Sequence, residues 1–354
     1  MEKSMLGALG KRLVAYVVLL AVAMFVGALI GGPTARASVS EVIASESRST
    51  GLSAYGGVLV WSSYKAEQGR YRLTVMRQGR VVRVPVPSRR VPFDADVGPD
   101  ARGEPQIVYS RCAREPRAVT FGPPNYASGR GCRLWRYSFR NDSERRIRGA
   151  AVGNRSAFRP SLWGSRLVYG MTRRRGDAGS PQFRMLSLRS GKRRAISVRS
   201  RFAEKAAAGT TVTGLDLSGT RFTVGLDHAD VKCGPPPGEG DKVGTQTSEL
   251  FAGPLTSLRR ILTTCPGDLR SAVAPSWHRG DVFAVVQRSE PEGIAVRRRQ
   301  LSPEGRTVAE VDVPPDTEAT ATDETGHYLV VFRSATQDGK RANSFDVEKV
   351  APPP

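Results

Sequence analysis

The amino-acid sequence predicts an all-β protein: a β-propeller of about six four-stranded blades, with five or seven as alternatives, preceded by a signal peptide. Three observations support this fold class. A glycine-anchored turn and strand recurs along the chain, and a strand–turn–strand segment follows most copies. The 37 glycines and 24 prolines among 354 residues favour turns over long helices.

The recurring unit begins at a glycine and continues into a short apolar strand. The copies read GVLVW, GEPQIVY, GSRLVY, GTRFTV, GDVFAVV and GHYLVVF, and their glycines are 46, 61, 55, 61 and 46 residues apart. A glycine suits the tight turn between two strands because it adopts backbone angles that strain other residues. The apolar residues after it are typical of a buried strand.

A second segment supplies the outer half of each unit. RYRLTVMRQGRVVRVPV (70–86) and QFRMLSLRSGKRRAISV (182–198) are two examples, and both halves of each alternate apolar and polar residues as half-buried strands do. Each unit therefore provides four strands. Because such a sheet cannot bury both faces alone, the units must stack, and a radial arrangement also protects most sheet edges.

The stretch VGPDARGEPQIVYS (97–110) resembles the SPDG-x-x-I-A-F repeat of TolB-like, WD-type propellers of exported bacterial proteins. The resemblance covers about residues 51–350, although most copies lack the Ser-Pro-Asp-Gly consensus. It implies the propeller fold but no single function, since such repeats occur in binding scaffolds and in propeller domains of peptidases. The last unit is short of strands: residues 343–350 could form its outer strand, and residues 40–47 could pair there and close the ring.

The N-terminal 37 residues have the features of a targeting segment. Residues 13–30 carry no charge, basic residues precede them, and an A-x-A site occupies residues 35–37. We favour a cleaved signal peptide over 1–37, with an uncleaved membrane anchor as the alternative. Residues 38–50 are then a linker or closing strand, 51–350 the propeller and 351–354 a proline-rich tail. Both alternatives place the propeller outside the cytoplasmic membrane, either released or anchored and facing outwards.

The chain is strongly basic, with a formal net charge of +21, and 45 of its 54 basic residues are arginine. Leaving out residues 1–37 lowers the charge only to +18. A GC-rich genome explains the arginines, and a polyanionic partner is the functional alternative. We expect a protein or an anionic cell-envelope component as partner and no nucleic acid, because the protein is exported. Membrane contact is expected only if the N-terminal segment stays uncleaved. We expect a monomer without cofactors.

Four cysteines, Cys112, Cys132, Cys233 and Cys265, suit disulfides in an exported protein. Three pairings are open, and sequence proximity favours Cys112–Cys132 with Cys233–Cys265. Long insertions at residues 112–131, 172–181 and 228–247 separate the second and third strands of their units. The usual propeller connectivity places all three on one face of the disc.

Motifs for catalysis are missing from the sequence: it has no G-x-S-x-G, H-E-x-x-H or P-loop, so we expect no catalytic or metal-binding residues. His278 and His327 lie beside the glycine turns and are predicted to be solvated. Asp227, His228 and Asp230 could shape a binding site, but they make only a partial metal shell. Arg173, Arg174 and Arg175 form a basic run that could contact an anionic partner, although solvated faces are favoured for this run and for residues 296–300.

Two function classes remain. The favoured one is an exported, non-catalytic scaffold that binds a protein or an anionic envelope polymer through the long loops on one face. The alternative is a propeller enzyme of glycosidase, lyase or lactonase type, with its site in the central channel. The carboxylates to inspect there are Asp96, Asp100, Asp216, Asp227 and Asp323. A convergent carboxylate pair in the channel would favour a glycosidase.

Overall fold

A computed structural model describes residues 40–116, 124–151, 155–172, 181–202, 210–229, 231, 246–264, 269–290, 293–337 and 340–350. They belong to one compact unit that begins at Ser40. The predicted signal peptide, Arg173 to Arg175, Asp230, Cys233 and Cys265 lie outside the described residues. Within those ranges, no helix is long and apolar enough to cross a membrane.

The strands form six antiparallel sheets of four strands each, so the prediction of six blades is confirmed and the alternatives of five and seven are wrong. The blades are as follows. Blade one contains β2 (Leu52–Tyr55), β3 (Val58–Lys65), β4 (Arg70–Arg77) and β5 (Arg80–Val82), and blade two contains β6 (Asp94–Pro99), β7 (Pro105–Arg111), β8 (Arg133–Ser138) and β9 (Ser143–Arg146). Blade three contains β10 (Ala157–Trp163), β11 (Arg166–Met171), β12 (Gln182–Ser187) and β13 (Arg193–Ile196), and blade four contains β14 (Thr210–Ser218), β15 (Arg221–Ala229), β16 (Gln246–Pro254) and β17 (Arg259–Thr264). Blade five contains β18 (Leu269–His278), β19 (Asp281–Glu290), β20 (Gly293–Leu301) and β21 (Thr307–Asp312), and blade six contains β22 (Thr317–Asp323), β23 (Gly326–Gln337), β24 (Lys340–Val350) and β1 (Ser40–Glu46).

The ring is closed by β1, the outermost strand of blade six. It pairs antiparallel with β24, from Ser40 opposite Val350 to Glu46 opposite Phe345. The Glu46 carboxylate is buried, and it accepts hydrogen bonds from the Trp61 indole and the Ser63 hydroxyl of blade one, each at 2.8 Å. Strand pairing and these side-chain bonds therefore tie the two ends of the propeller together.

The second strand of each blade forms the core, because it lies between the first and third strands of its sheet and between two neighbouring blades. Trp61, Tyr109 and Tyr169 occupy equivalent register positions in the middle part of this strand and are at most 1% exposed. The turn before this strand is explained locally in blade two. The Asp100 carboxylate accepts the backbone N–H of Arg102 at 2.7 Å and that of Glu104 at 3.1 Å.

The turns between first and second strands share one side of the disc, which we call the turn face: residues 56–57, 100–104, 164–165, 219–220, 279–280 and 324–325. Neighbouring turns contact each other around the ring. The Gly164 N–H donates to the Pro99 carbonyl at 2.8 Å, and the guanidinium of Arg221 donates to the Gly280 carbonyl at 3.4 Å. The opposite side, the loop face, carries the connections between second and third strands.

Candidate functional site

The first strands of all six blades surround a central channel with a cavity of about 390 Å³. Asp94, Arg159 and Tyr126 line its end towards the loop face. Its other end opens at the turn face, where the rings of Tyr55 and Trp163 meet edge to face with centroids 5.5 Å apart. Acidic groups outnumber basic ones along the channel, in contrast to the rest of this basic protein. The acidic residues are Asp94, Asp96, Asp216, Asp323 and Glu324, and the basic residues are Arg159 and Arg279.

Asp96 is buried and joins three blades through its carboxylate. The Ser53 hydroxyl of blade one donates to Oδ1 at 2.7 Å, and the Leu162 backbone N–H of blade three donates to Oδ2 at 2.9 Å. The Ser53 oxygen in turn accepts the Val97 N–H of blade two at 3.0 Å. Both carboxylate oxygens of Asp96 are thus occupied by groups of the protein itself.

Asp216 repeats this arrangement two blades further round the ring. It accepts the Ser161 hydroxyl of blade three at 3.2 Å and the Trp277 N–H of blade five at 2.5 Å. The Ser161 oxygen accepts the Leu217 N–H at 2.9 Å. Blades one to five are therefore linked by two serine–aspartate pairs of the same construction.

A third pair, between blades five and six, is incomplete. Ser276 of blade five is equivalent to Ser161, since each is the third residue before its turn in the strand register. The corresponding residue of blade six is Ala321, which has no carboxylate. Among the described residues, the Ser276 hydroxyl has no hydrogen-bond partner. The alternation Ser, Asp, Ser, Asp, Ser, Ala around the channel thus breaks at the blade that closes the ring.

Burial raises the pKa of both linking carboxylates. Removal from water is the largest cause for Asp96, and its hydrogen bonds with Ser53, Leu162 and Ser161 only partly oppose it. Removal from water also raises the pKa of Asp216, and the negative charge of Asp96 raises it further. Two buried carboxylates with raised pKa values beside a cavity are a pattern found at catalytic sites, but structural networks produce it as well.

The loop-face end of the channel is filled by side chains of blades two and three. A β-bulge at Arg159, whose φ is 46°, directs its backbone N–H and its guanidinium towards Asp94, at 2.5 and 3.5 Å. The guanidinium also lies over the Tyr126 ring, 5.1 Å from its centroid. Tyr126 is 2% exposed and donates its hydroxyl proton to the Phe93 carbonyl at 3.1 Å. This end of the channel is therefore packed with protein.

A disulfide between Cys112 and Cys132 spans the insertion that delivers Tyr126, so this predicted pairing is confirmed. The insertion of blade two reaches past blade three, since the Asn125 amide donates to the Thr211 hydroxyl of blade four at 3.1 Å. The predicted pairing of Cys233 with Cys265 falls outside the described residues.

Several polar atoms along the channel wall are buried without a partner in the described part of the chain. They are Arg159 Nε and the hydroxyls of Thr213, Ser276 and Thr320. Buried polar atoms usually find a protein group or an ordered water. The cavity is large enough for waters or for a small polar molecule, so these atoms favour a hydrated channel.

Asp227 and His228 are both buried, and they bond within blade four. His228 Nδ1 lies 3.0 Å from the Thr210 hydroxyl, and Nε2 lies 3.1 Å from both Glu249 Oε2 and the Ser200 hydroxyl. Serine and carboxylate thus share one ring nitrogen, whereas a catalytic triad needs them on opposite nitrogens. Asp227 accepts a hydrogen bond from the Ser248 hydroxyl.

Glu249 completes this cluster. It also binds the Arg260 guanidinium at 3.0 Å. Burial alone would raise the pKa of Glu249, but its hydrogen bonds with His228, Ser200 and Arg260 lower the pKa overall. The ionised carboxylate therefore balances the positive charge of Arg260 within blade four.

Two predictions of solvated side chains are wrong. His327 is 7% exposed and bonds the Thr322 hydroxyl at 2.9 Å; burial, with smaller effects of Arg298 and His278, lowers its pKa to about 4. Arg298, in the middle of the basic run 296–300, is 3% exposed. Alternation along β20 turns it inwards, whereas its neighbours Arg297 and Arg299 pair with acidic residues of β21.

The turn face carries exposed basic groups that lack acidic partners. Among the described residues, none of them lies within ion-pair distance of a carboxylate. They occupy the turns between first and second strands and those between third and fourth strands. These groups are Arg77, Arg80, Arg102, Arg140, Arg166, Arg189, Lys192, Arg193, Arg221, Arg259, Arg279 and Arg306.

The exposed and half-buried acidic residues of this face are fewer, and several of them bind neutral donors. They are Asp100, Glu104, Asp142, Asp281, Glu304 and Glu324. Asp142 accepts the Tyr137 hydroxyl at 2.5 Å, and Asp281 accepts the Gln300 amide at 2.7 Å. Among the described residues of this face, exposed basic groups therefore outnumber exposed acidic ones.

No protein-family model matches this chain, and no curated protein matches it in sequence. Similar solved structures include TolB from Acinetobacter baumannii, at 11% identity and a TM-score of 0.43, with 78% of this chain and 55% of that chain covered. The α-L-arabinofuranosidase Arb93A from Fusarium graminearum matches at 11% identity and a TM-score of 0.49, covering 88% of this chain and 98% of that one.

The propeller domain of the Trilobed protease from Pyrococcus furiosus matches at 9% identity and a TM-score of 0.41, with 83% of both chains covered. These scores carry no inference about function. The six-bladed architecture rests on the strand pairing of this chain.

Proposed function

We propose that this chain is an exported, non-catalytic propeller that binds a protein or an anionic cell-envelope component through its exposed surface. The observation that carries the proposal is the occupation of the channel carboxylates. Asp96 and Asp216 each accept hydrogen bonds from two other blades, so their oxygens hold the ring together. A general acid or nucleophile needs a carboxylate that faces its substrate.

The closed end of the channel supports the same function. Tyr126 and Arg159 fill it with buried side chains, so a substrate would reach the carboxylates only from the turn face. The +18 charge of the chain after residue 37 provides long-range attraction for an anionic partner, and the exposed arginines provide contacts.

The test is co-sedimentation of the full-length chain with fractionated cell envelope over a range of salt concentrations. We expect saturable binding that weakens with salt but persists at about 0.15 M, where charges interact over about 8 Å. Binding that never saturates and disappears at moderate salt would reduce the charge to nonspecific attraction and overturn the proposal.

An enzyme at the channel is the second candidate, favoured by the raised pKa values of Asp96 and Asp216 beside a polar cavity. The test is turnover of chromogenic aryl glycosides by the wild type and by Asp216→Asn. Turnover that the substitution abolishes while the fold persists would establish the enzyme. The non-catalytic function predicts no turnover by either protein.

A further inference from the structure

The turn face has a second property besides its unpaired arginines: both ends of the described chain leave the propeller there. Ser40 pairs with Val350, and Val350 pairs with His327, which follows the turn 324–325. The strand β1 thus begins at the turn face and runs towards the loop face. Any segment that precedes Ser40 is attached at the turn face, beside blade six.

The sequence before Ser40 contains an apolar segment that is long enough to enter a membrane. Residues 13–30 are 18 residues without a charge, and only nine residues separate them from Ser40. If this segment stays in the membrane, nine residues span at most about 30 Å, so the propeller is held close to the bilayer. If it is removed after residue 37, the chain still starts at the same face.

We infer that the turn face is a docking surface for an anionic phospholipid bilayer; this rests on the proposed function and names its partner and surface. The exposed basic groups of the turns supply the charge complementarity. Basic residues near an anionic membrane contribute about 1 kcal/mol each. The loop face, with the insertion that carries Tyr126, then points away from the membrane.

The guanidinium groups of this face lie in different blades. Arg140 lies in the outer turn of blade two, Arg189 in that of blade three and Arg306 in that of blade five. All three are exposed and free of ion pairs with the described residues. A flat bilayer can contact several blades at once, whereas a small anion can contact only one.

The test uses the full-length chain in nanodiscs of anionic or zwitterionic phospholipid. Arginine side chains are modified with phenylglyoxal, and the modification at each site is quantified by mass spectrometry. We expect Arg140, Arg189 and Arg306 to be modified at least several-fold more slowly on anionic than on zwitterionic discs. Arg70, Arg130 and Arg199, which are exposed at the loop face, are the internal reference and should react equally on both.

A matched pair of triple variants tests the energetics. R140Q/R189Q/R306Q should lower the affinity for anionic vesicles on the order of 100-fold, since three contacts are lost. R70Q/R130Q/R199Q removes the same charge from the loop face and should stay within a few-fold of the wild type. Equal losses for both variants would overturn the inference, because net charge would then explain the binding.

A soluble polyanion separates this inference from the proposed function. If a glycerol-phosphate polymer protects the turn-face arginines and anionic bilayers do not, the membrane inference fails while the proposed binding function stands. If neither protects them and the envelope does not bind, both fail.

Discussion

The channel and the turn face differ in the sign of their ionisable groups and in how those groups are bonded. In the channel, Asp96 and Asp216 have every oxygen occupied by serine hydroxyls or backbone N–H groups of neighbouring blades. On the turn face, arginines stand exposed without carboxylate partners among the described residues. The hydrogen bonds of the channel carboxylates link the blades, whereas the exposed arginines of the turn face are available for the binding that we propose. The comparison teaches that acidic residues in a propeller channel are not by themselves a catalytic site.

The largest expected effect is the loss of a channel carboxylate. Asp96→Ala leaves the Ser53 hydroxyl and the Leu162 N–H buried without their acceptor, and we expect it to lower the free energy of unfolding by about 3 kcal/mol. Glu104→Ala, whose side chain is exposed at the turn of the same blade, is the control and should cost less than about 1 kcal/mol. Urea unfolding followed by circular dichroism measures both. Equal losses of stability in the two variants would contradict the claim that the channel carboxylate links blades and the turn carboxylate does not.

The pH dependence of stability tests the protonation of a channel carboxylate. Burial and Asp96 raise the pKa of Asp216 from 3.8 to about 7. Between these values the unfolded chain has lost the proton while the folded protein keeps it, so Asp216 costs the wild type stability as pH rises from 4 to 7. Asp216→Asn removes this titration.

We therefore expect the free energy of unfolding of wild type minus that of Asp216→Asn to fall by about 3 kcal/mol over this range. Chemical denaturation at pH 4, 5.5 and 7 measures the difference. A difference that stays flat with pH would show that Asp216 is ionised throughout.

A smaller difference in stability is expected between substitutions in a complete serine–aspartate pair and in the incomplete one. Ser161→Ala removes a donor to Asp216 and an acceptor for the Leu217 N–H, and it should cost about 1–2 kcal/mol. Ser276→Ala removes a hydroxyl that has no partner among the described residues, and it should change stability by less than about 0.5 kcal/mol. Thermal unfolding of the two variants compares them directly. A larger loss for Ser276→Ala would contradict the equivalence of these positions.

The smallest effect belongs to the turn face. Arg189→Gln should alter the free energy of unfolding by less than about 0.5 kcal/mol, because the side chain is exposed. Differential scanning calorimetry is the measurement. A loss above 1 kcal/mol would reveal a structural contact and weaken the case for a free binding surface.

The sequence predicted the fold because each blade repeats its glycine turn and buried strand. It did not predict the linking network, since the serine and aspartate positions become equivalent only after strand register and bulges are known. Asp96 and Asp216 were recognised as carboxylates to inspect, but nothing local distinguished an engaged carboxylate from a free one. The alternation of serine and aspartate three or four residues before the turns is the signal that the sequence carries.

Long-range contacts explain the remaining differences. Tyr126 lies in an insertion without a repeat pattern, and its place in the channel follows from packing against blades two and three. His327 adjoins a turn, as solvated residues do, yet the packing of neighbouring blades buries it. Arg298 follows the alternation of its strand, but only the blade arrangement makes its side of the sheet the buried one.

The most direct test of the central claim is envelope co-sedimentation of the Asp96→Asn/Asp216→Asn double variant at a temperature where it remains folded. Both substitutions keep the side-chain shape but remove the two carboxylates that link the blades. If these acids only link blades, the variant should bind the envelope within about twofold of the wild type. A folded variant that no longer binds would contradict the account and place the functional site in the channel.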